Sequence, residues 1–156
     1  MAALLAIGCN AVARATTMHR EGSGNVRFVD SAGRQIQGPV LGLNGLYPGM
    51  TPKRTVVTIQ NHGSASAHFQ VSLVERAGGS GPSLADALHL VVTSEASGAF
   101  LYRGPLSGLR FLGQALRAGQ SQRVAVMMSW PSQGTMDERY VGASVSFSLV
   151  VQSWHA

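Results

Sequence analysis

The side chains able to serve as ligands, acids or nucleophiles are few and widely spaced. Five histidines, His19, His62, His68, His89 and His155, include no pair at the HExxH spacing that places two imidazoles on one helix face beside a general base. His62 and His68 flank a turn between two expected strands, so a two-histidine metal pair is the arrangement the spacing allows, against the plainer reading of turn and surface histidines. Asp30, Glu75, Asp86, Glu95, Asp137 and Glu138 fall mainly at expected strand ends and turns, and no pair of them can be placed across a scissile bond from spacing. Asp137-Glu138 reads as a solvated turn. A GxSxG elbow, a P-loop and a GxGxxG turn are absent. Cys9 lies in an apolar run and reads as a small hydrophobe, and a single cysteine forms no internal disulfide. Trp130 and Trp154, at expected strand ends, are expected in the core or on its rim, with a ligand groove as the alternative. No catalytic, cofactor-binding or metal-ligating residue is assigned, and the expectation is a protein that is not an enzyme and carries no cofactor.

The charge of +5 comes from eleven arginines and one lysine against seven acids, a balance that attracts anionic partners over long range. The arginines form no run and are joined by no aromatic-rich RNA motif or DNA-reading helix, so specific nucleic-acid recognition is not expected. Only 12% of residues are charged while 19 are glycine, which suits strands and turns better than solvated helices.

The elements that must position these side chains follow from periodicity. Ala67–Glu75 alternates Phe69, Val71 and Leu73 with His68, Gln70 and Ser72, the period of a half-buried antiparallel strand. Gln122–Trp130 alternates likewise through Val124, Val126 and Met128, and Ala143–Trp154 through Val145, Phe147, Leu149 and Val151. Arg54–Gln60 is rich in β-branched residues and closes at Asn61-His62-Gly63; His89–Thr93 and Phe100–Tyr102 read as further strands, the latter interrupted at Gly104-Pro105. Asn25–Gln37 reads as a hairpin about Ser31-Ala32-Gly33, and Val40–Met50 as a strand ending in a turn. Ser83, three residues before Asp86, has capping-box spacing for one helical turn over Leu84–Leu88. Short strands with frequent turn signals give an all-β fold: a two-sheet antiparallel sandwich, jelly-roll or immunoglobulin-like, with one short helical turn.

Residues 1–20 are read as an N-terminal arm and 21–156 as the sandwich domain, hinged at Arg20–Gly24. Met1–Ala15 is an apolar run ending in Ala13-Arg14-Ala15, a small-x-small pattern that a signal peptidase cuts, so cleavage is expected at Ala13 or Ala15. The basic stretch that normally precedes the apolar run is missing, so the segment reads equally as part of the mature chain. Leu5–Cys9 also approaches a lipoprotein signal, with Ala6 where a larger aliphatic is preferred. The apolar stretch is well short of the roughly 18 residues that span a bilayer, and no integral membrane span is expected.

The order of these features resembles the TasA/camelysin family of exported biofilm-matrix fibre proteins. Gly45-Leu46-Tyr47-Pro48-Gly49-Met50 followed by Val56–Ser64 is similar to the family's opening, Leu116–Ser121 to the step before its penultimate strand, and Tyr140-Val141-Gly142 with Gln152 to its ending. The resemblance implies a secreted, extracellular or cell-surface protein exported through a dedicated signal peptidase. It also implies a subunit that polymerises with itself into a fibre when the N-terminal segment of one copy completes a sheet of the next, with anionic matrix polymers as further partners. Ala3, Leu5, Ile7 and Cys9 alternate as a donor arm would. The metalloprotease label of some relatives does not carry over, because the zinc motif is absent. The alternative is a non-polymerising exported or surface-anchored module that binds a glycan, peptide or anionic polymer through Arg76–Pro82 or Gly98–Gly113.

Overall fold

The computed structural model describes residues 11–17, 25–41, 46–75, 83–140 and 145–156. Nine strands lie among the described residues: β1 (Ala11–Thr17), β2 (Val26–Val29), β3 (Lys53–Asn61), β4 (Ala67–Glu75), β5 (His89–Ser94), β6 (Phe100–Pro105), β7 (Arg110–Leu112), β8 (Ser121–Ser129) and β9 (Val145–His155). One short helix, α1 (Leu84–Ala87), begins where the Ser83 hydroxyl accepts from the Ala85 amide at 3.2 Å, a cap that satisfies one of the helix's open amides.

The strands form two sheets, ordered β1-β9-β4-β7 and β2-β3-β8-β5-β6, and all pairs but one are antiparallel. The alternating apolar residues supply the two inner faces. Phe69, Val71, Phe111, Phe147, Leu149 and Val151 from the first sheet meet Phe28, Val57, Ile59, Leu90, Val92, Val124, Val126 and Met128 from the second. Burying each such side chain contributes about 1.5–3 kcal/mol relative to leaving it in water. A void of about 20 Å³ lies at the centre, between Val71, Val92, Val124 and Leu149 among others. The expected two-sheet sandwich with one helical turn is therefore the fold.

With β2–β9 taken in chain order as strands B to I, β9-β4-β7 and β3-β8-β5-β6 follow the I-D-G and C-H-E-F order of a jelly roll, whereas an immunoglobulin order leaves β6 and β7 unplaced. The place beside β9 is filled by β1. That strand comes from the start of the chain and runs parallel to β9, from Ala11 opposite Val145 to Thr17 opposite Val151. A strand following β9 through a hairpin would run antiparallel. Part of the expected N-terminal arm is thus a strand of the first sheet.

The strands expected over Arg54–Gln60, Ala67–Glu75, His89–Thr93, Gln122–Trp130 and Ala143–Trp154 form within a residue or two over their described residues. The hairpin after Asn25 forms in reduced shape, with β2 followed by a turn and the single bridge Val29–Gln35. Three expectations are corrected. Val40 and Leu41 are buried bends rather than the start of a strand, and the turn beyond them closes at Gly49, whose φ of 75° only glycine adopts without strain. Strand β6 runs through Gly104 to Pro105, because proline costs no ladder bond on an edge strand. The span Gly98–Gly113, expected to offer a binding loop, is mostly strand, holding β6, a 3₁₀ turn over Leu106–Gly108, and β7.

Candidate functional site

The side chains singled out for chemistry do not converge. His68, on β4, stacks on Trp154 of β9 with ring centroids 6.0 Å apart and planes inclined by 27°. His62 lies exposed beyond β3, and His89 and His155 are exposed at strand ends. Among the described residues no three His, Cys, Asp or Glu side chains gather at metal-ligand spacing. Trp130 is buried and meets Tyr140 edge-to-face at 5.9 Å, so it is core rather than groove. Asp137, expected in a solvated turn, is buried in a 3₁₀ turn over Gly134–Tyr140. There its carboxylate accepts from the Ser132 hydroxyl and the Gln133 amide, each at 2.9 Å, and so closes the loop after β8.

Other polar side chains also act as fasteners. Buried Asn61 donates to the carbonyls of Ala65 at 2.8 Å and Leu116 at 3.0 Å and accepts from the Gly63 amide at 2.8 Å, tying the β3–β4 turn to the segment before β8. Asp30 caps the hairpin turn by accepting from the amides of Ala32 and Arg34, both at 2.9 Å, and from Arg34 Nε at 3.0 Å. The Arg34 amide is the main reason its carboxyl sits below the usual carboxylate range. Burial pushes the Tyr102 phenol up.

The sheet edges are the remaining features of note, because unpaired strand backbone is a template for another strand. At one end of the first sheet stands β9, whose residues Phe147–Val151 are buried on both faces: Phe147, Leu149 and Val151 in the core, Ser148 and Val150 on the opposite side. Its outer hydrogen-bonding edge is covered by β1. Ala13 stands opposite Phe147 and Ala15 opposite Leu149, so both expected cleavage positions lie inside this strand. A cut after Ala15 would leave only Thr16 and Thr17 of it. The expected donor residues Ala3, Leu5, Ile7 and Cys9 lie outside the described residues.

At the opposite side stand β7, ending the first sheet, and β6, ending the second. Periodicity missed β7, since three residues are too few to register as a pattern. It missed the β1–β9 pairing because the two partners lie at opposite ends of the chain. No helix among the described residues is long and apolar enough to cross a membrane. No family model, curated protein or solved structure matches this chain.

Proposed function

We propose that this protein is an exported structural subunit that assembles into an extracellular fibre by strand donation, β1 of one copy replacing β1 of the next against β9. The observation that carries this reading is the replaceable seat of β1. It is an edge strand, it fills the position beside β9 from the far end of the chain, and it pairs in parallel, the slightly weaker arrangement per residue. Its sequence, AVARATT, offers few large apolar side chains to hold it. Exchanging it between copies keeps every β1–β9 hydrogen bond in the same register, and because donor and acceptor are different surfaces, the exchange propagates head to tail.

Dispersal of the polar side chains into caps and turn ties fits a building block, and the resemblance to TasA/camelysin proteins supports the same role and a surface or extracellular location. The exposed arginines suit contact with anionic matrix polymers. Electron microscopy of the purified chain, with and without residues 1–17, tests the proposal: fibres are expected only when the segment is present. Protein that stays monomeric at every concentration and pH overturns it. Mass spectrometry of the mature protein is expected to place its N-terminus before Ala11. A second reading, a binding module that does not polymerise, is favoured by the exposed apolar residues beside β6 and β7.

A further inference from the structure

The β6–β7 corner is a built feature with unspent side chains. Its closed end is fixed: the Leu106 amide donates to the Leu88 carbonyl at 2.7 Å, and the Tyr102 hydroxyl donates to the Pro105 carbonyl at 2.5 Å. That phenol lies so close over Gly104 and Gly108 that a Cβ on either would come within 2.9 and 3.0 Å of its oxygen. Beside this corner is an open cleft of about 520 Å³ lined by Gln70, Phe100, Leu101, Arg110, Phe111 and Leu112. Phe100 and Leu112, 64% and 62% exposed, are the two most exposed large hydrophobic residues among those described, and both line this cleft. The Arg103 guanidinium sits 4.6 Å over the Phe100 ring, and Arg110 donates to Gln70 at 3.1 Å. Among the described residues neither arginine has a carboxylate within ion-pair reach.

We infer that this cleft is a docking site for an extended acidic segment of another protein, laid along the β6 or β7 edge with its carboxylates on Arg103 and Arg110 and an apolar side chain between Phe100 and Leu112. Both strands end their sheets among the described residues, so their outer edges would supply backbone pairing and select a strand. The two arginines, unmatched by acid, select negative charge and present the flat forked donors that suit carboxylates. A second copy is disfavoured by the same charges, since β6 against β6 brings like arginines together on molecules of net charge +5. Arginines and Pro105 alone would read as protection of an edge against pairing, but protection does not place two large hydrophobic side chains in solvent at the same spot. This inference stands apart from strand donation, which uses the opposite edge.

The test is fluorescence anisotropy on the full chain with labelled Glu-Val-Glu-Leu-Glu-Val-Glu, its lysine counterpart Lys-Val-Lys-Leu-Lys-Val-Lys, and heptaglutamate. The alternating acidic peptide is expected to bind at least about tenfold tighter than either control, and to lose about tenfold in both R103E/R110E and F100S/L112S. All four side chains lie at the surface, so circular dichroism should be unchanged; should either double variant fail to fold, Leu112→Ser alone carries the apolar arm and Arg110→Gln the charged one. Heptaglutamate binding as tightly overturns the inference in favour of a general polyanion surface. Equal binding of the lysine peptide, no binding of any, or a concentration-dependent dimer abolished by Leu112→Ser overturns it as well.

Discussion

At the scale of single residues, this molecule spends its polar groups on fastening turns. Asn61 is the clearest case, because its amide faces two carbonyl oxygens and one amide with almost no access to water. Asn61→Ala removes the side-chain partner of the Ala65 carbonyl and the Gly63 amide, while the Leu116 carbonyl keeps the Ala67 amide at 2.9 Å, and is expected to destabilise the fold by about 2–3 kcal/mol in urea unfolding. Asn61→Asp, which replaces a donor by a charged acceptor facing the same carbonyls, is expected to cost more. Gly113 has no room for a side chain, since a Cβ there would lie 1.9 Å from the Phe69 ring. Gly113→Ala should therefore cost about 1–3 kcal/mol by the same measurement, as overpacked cores do. Asp30 gives a pH signature of defined sign. Its carboxyl is held below the ordinary range in the folded protein, so its support of the hairpin is full above that range and disappears as pH falls through the folded-state value. An NMR pH titration of the Ala32 and Arg34 amides should show both moving with Asp30 protonation, and neither transition in Asp30→Asn.

At the scale of elements, the strands with clean alternation were legible because one face is core and the other is not. β4 runs over Ala67–Glu75, the span its alternation marks, and His68, Gln70 and Ser72 stand on the less buried side. Legibility fails where an element is made by its neighbours. The strand expected at Val40 gives way to bends because burial of Val40 and Leu41 is achieved without pairing. β7 exists because β4 offers Gln70–Ser72 as a template, and β1 because β9 offers a long edge. Neither template is visible in the local run of residues. The candidate site shares this divide: the sequence pointed to the N-terminal segment and to the span Gly98–Gly113. What it could not show was that Ala11–Thr17 of the first form a parallel edge strand and that the second is a corner between two sheets. Composition also misled at Asp137, where a charged residue next to Glu138 reads as surface yet serves as a loop closure. If β1 is held as weakly as its pairing and composition argue, its amides should exchange with solvent well before those of β4 and β8, which lie inside their sheets. Hydrogen exchange measured by mass spectrometry on peptides covering 11–17 and 67–75 checks this; equal protection would argue against an exchangeable strand.

At the scale of the whole molecule, the two sheets divide the work. The core lies between them, β1 covers the β9 edge on one side, and the β6–β7 corner carries exposed apolar and basic groups on the other. Under the proposed strand donation a fibre would grow in one direction, since the donated strand and the edge that receives it are different surfaces. Net positive charge opposes close approach of copies, so the proposed assembly should quicken as salt screens the repulsion, to be followed by light scattering at increasing ionic strength. The most direct test of strand donation uses two single-cysteine proteins in a Cys9→Ser background, one carrying Arg14→Cys and the other Ser148→Cys, positions that stand opposite each other in the β1–β9 register. Mixed, allowed to assemble and then oxidised, they are expected to give a disulfide-linked heterodimer on a non-reducing gel, absent when either protein is oxidised alone. Mixtures that yield no such dimer, while a single chain carrying both substitutions cross-links internally and completely, would mean that β1 never leaves its own β9, and strand donation would be wrong.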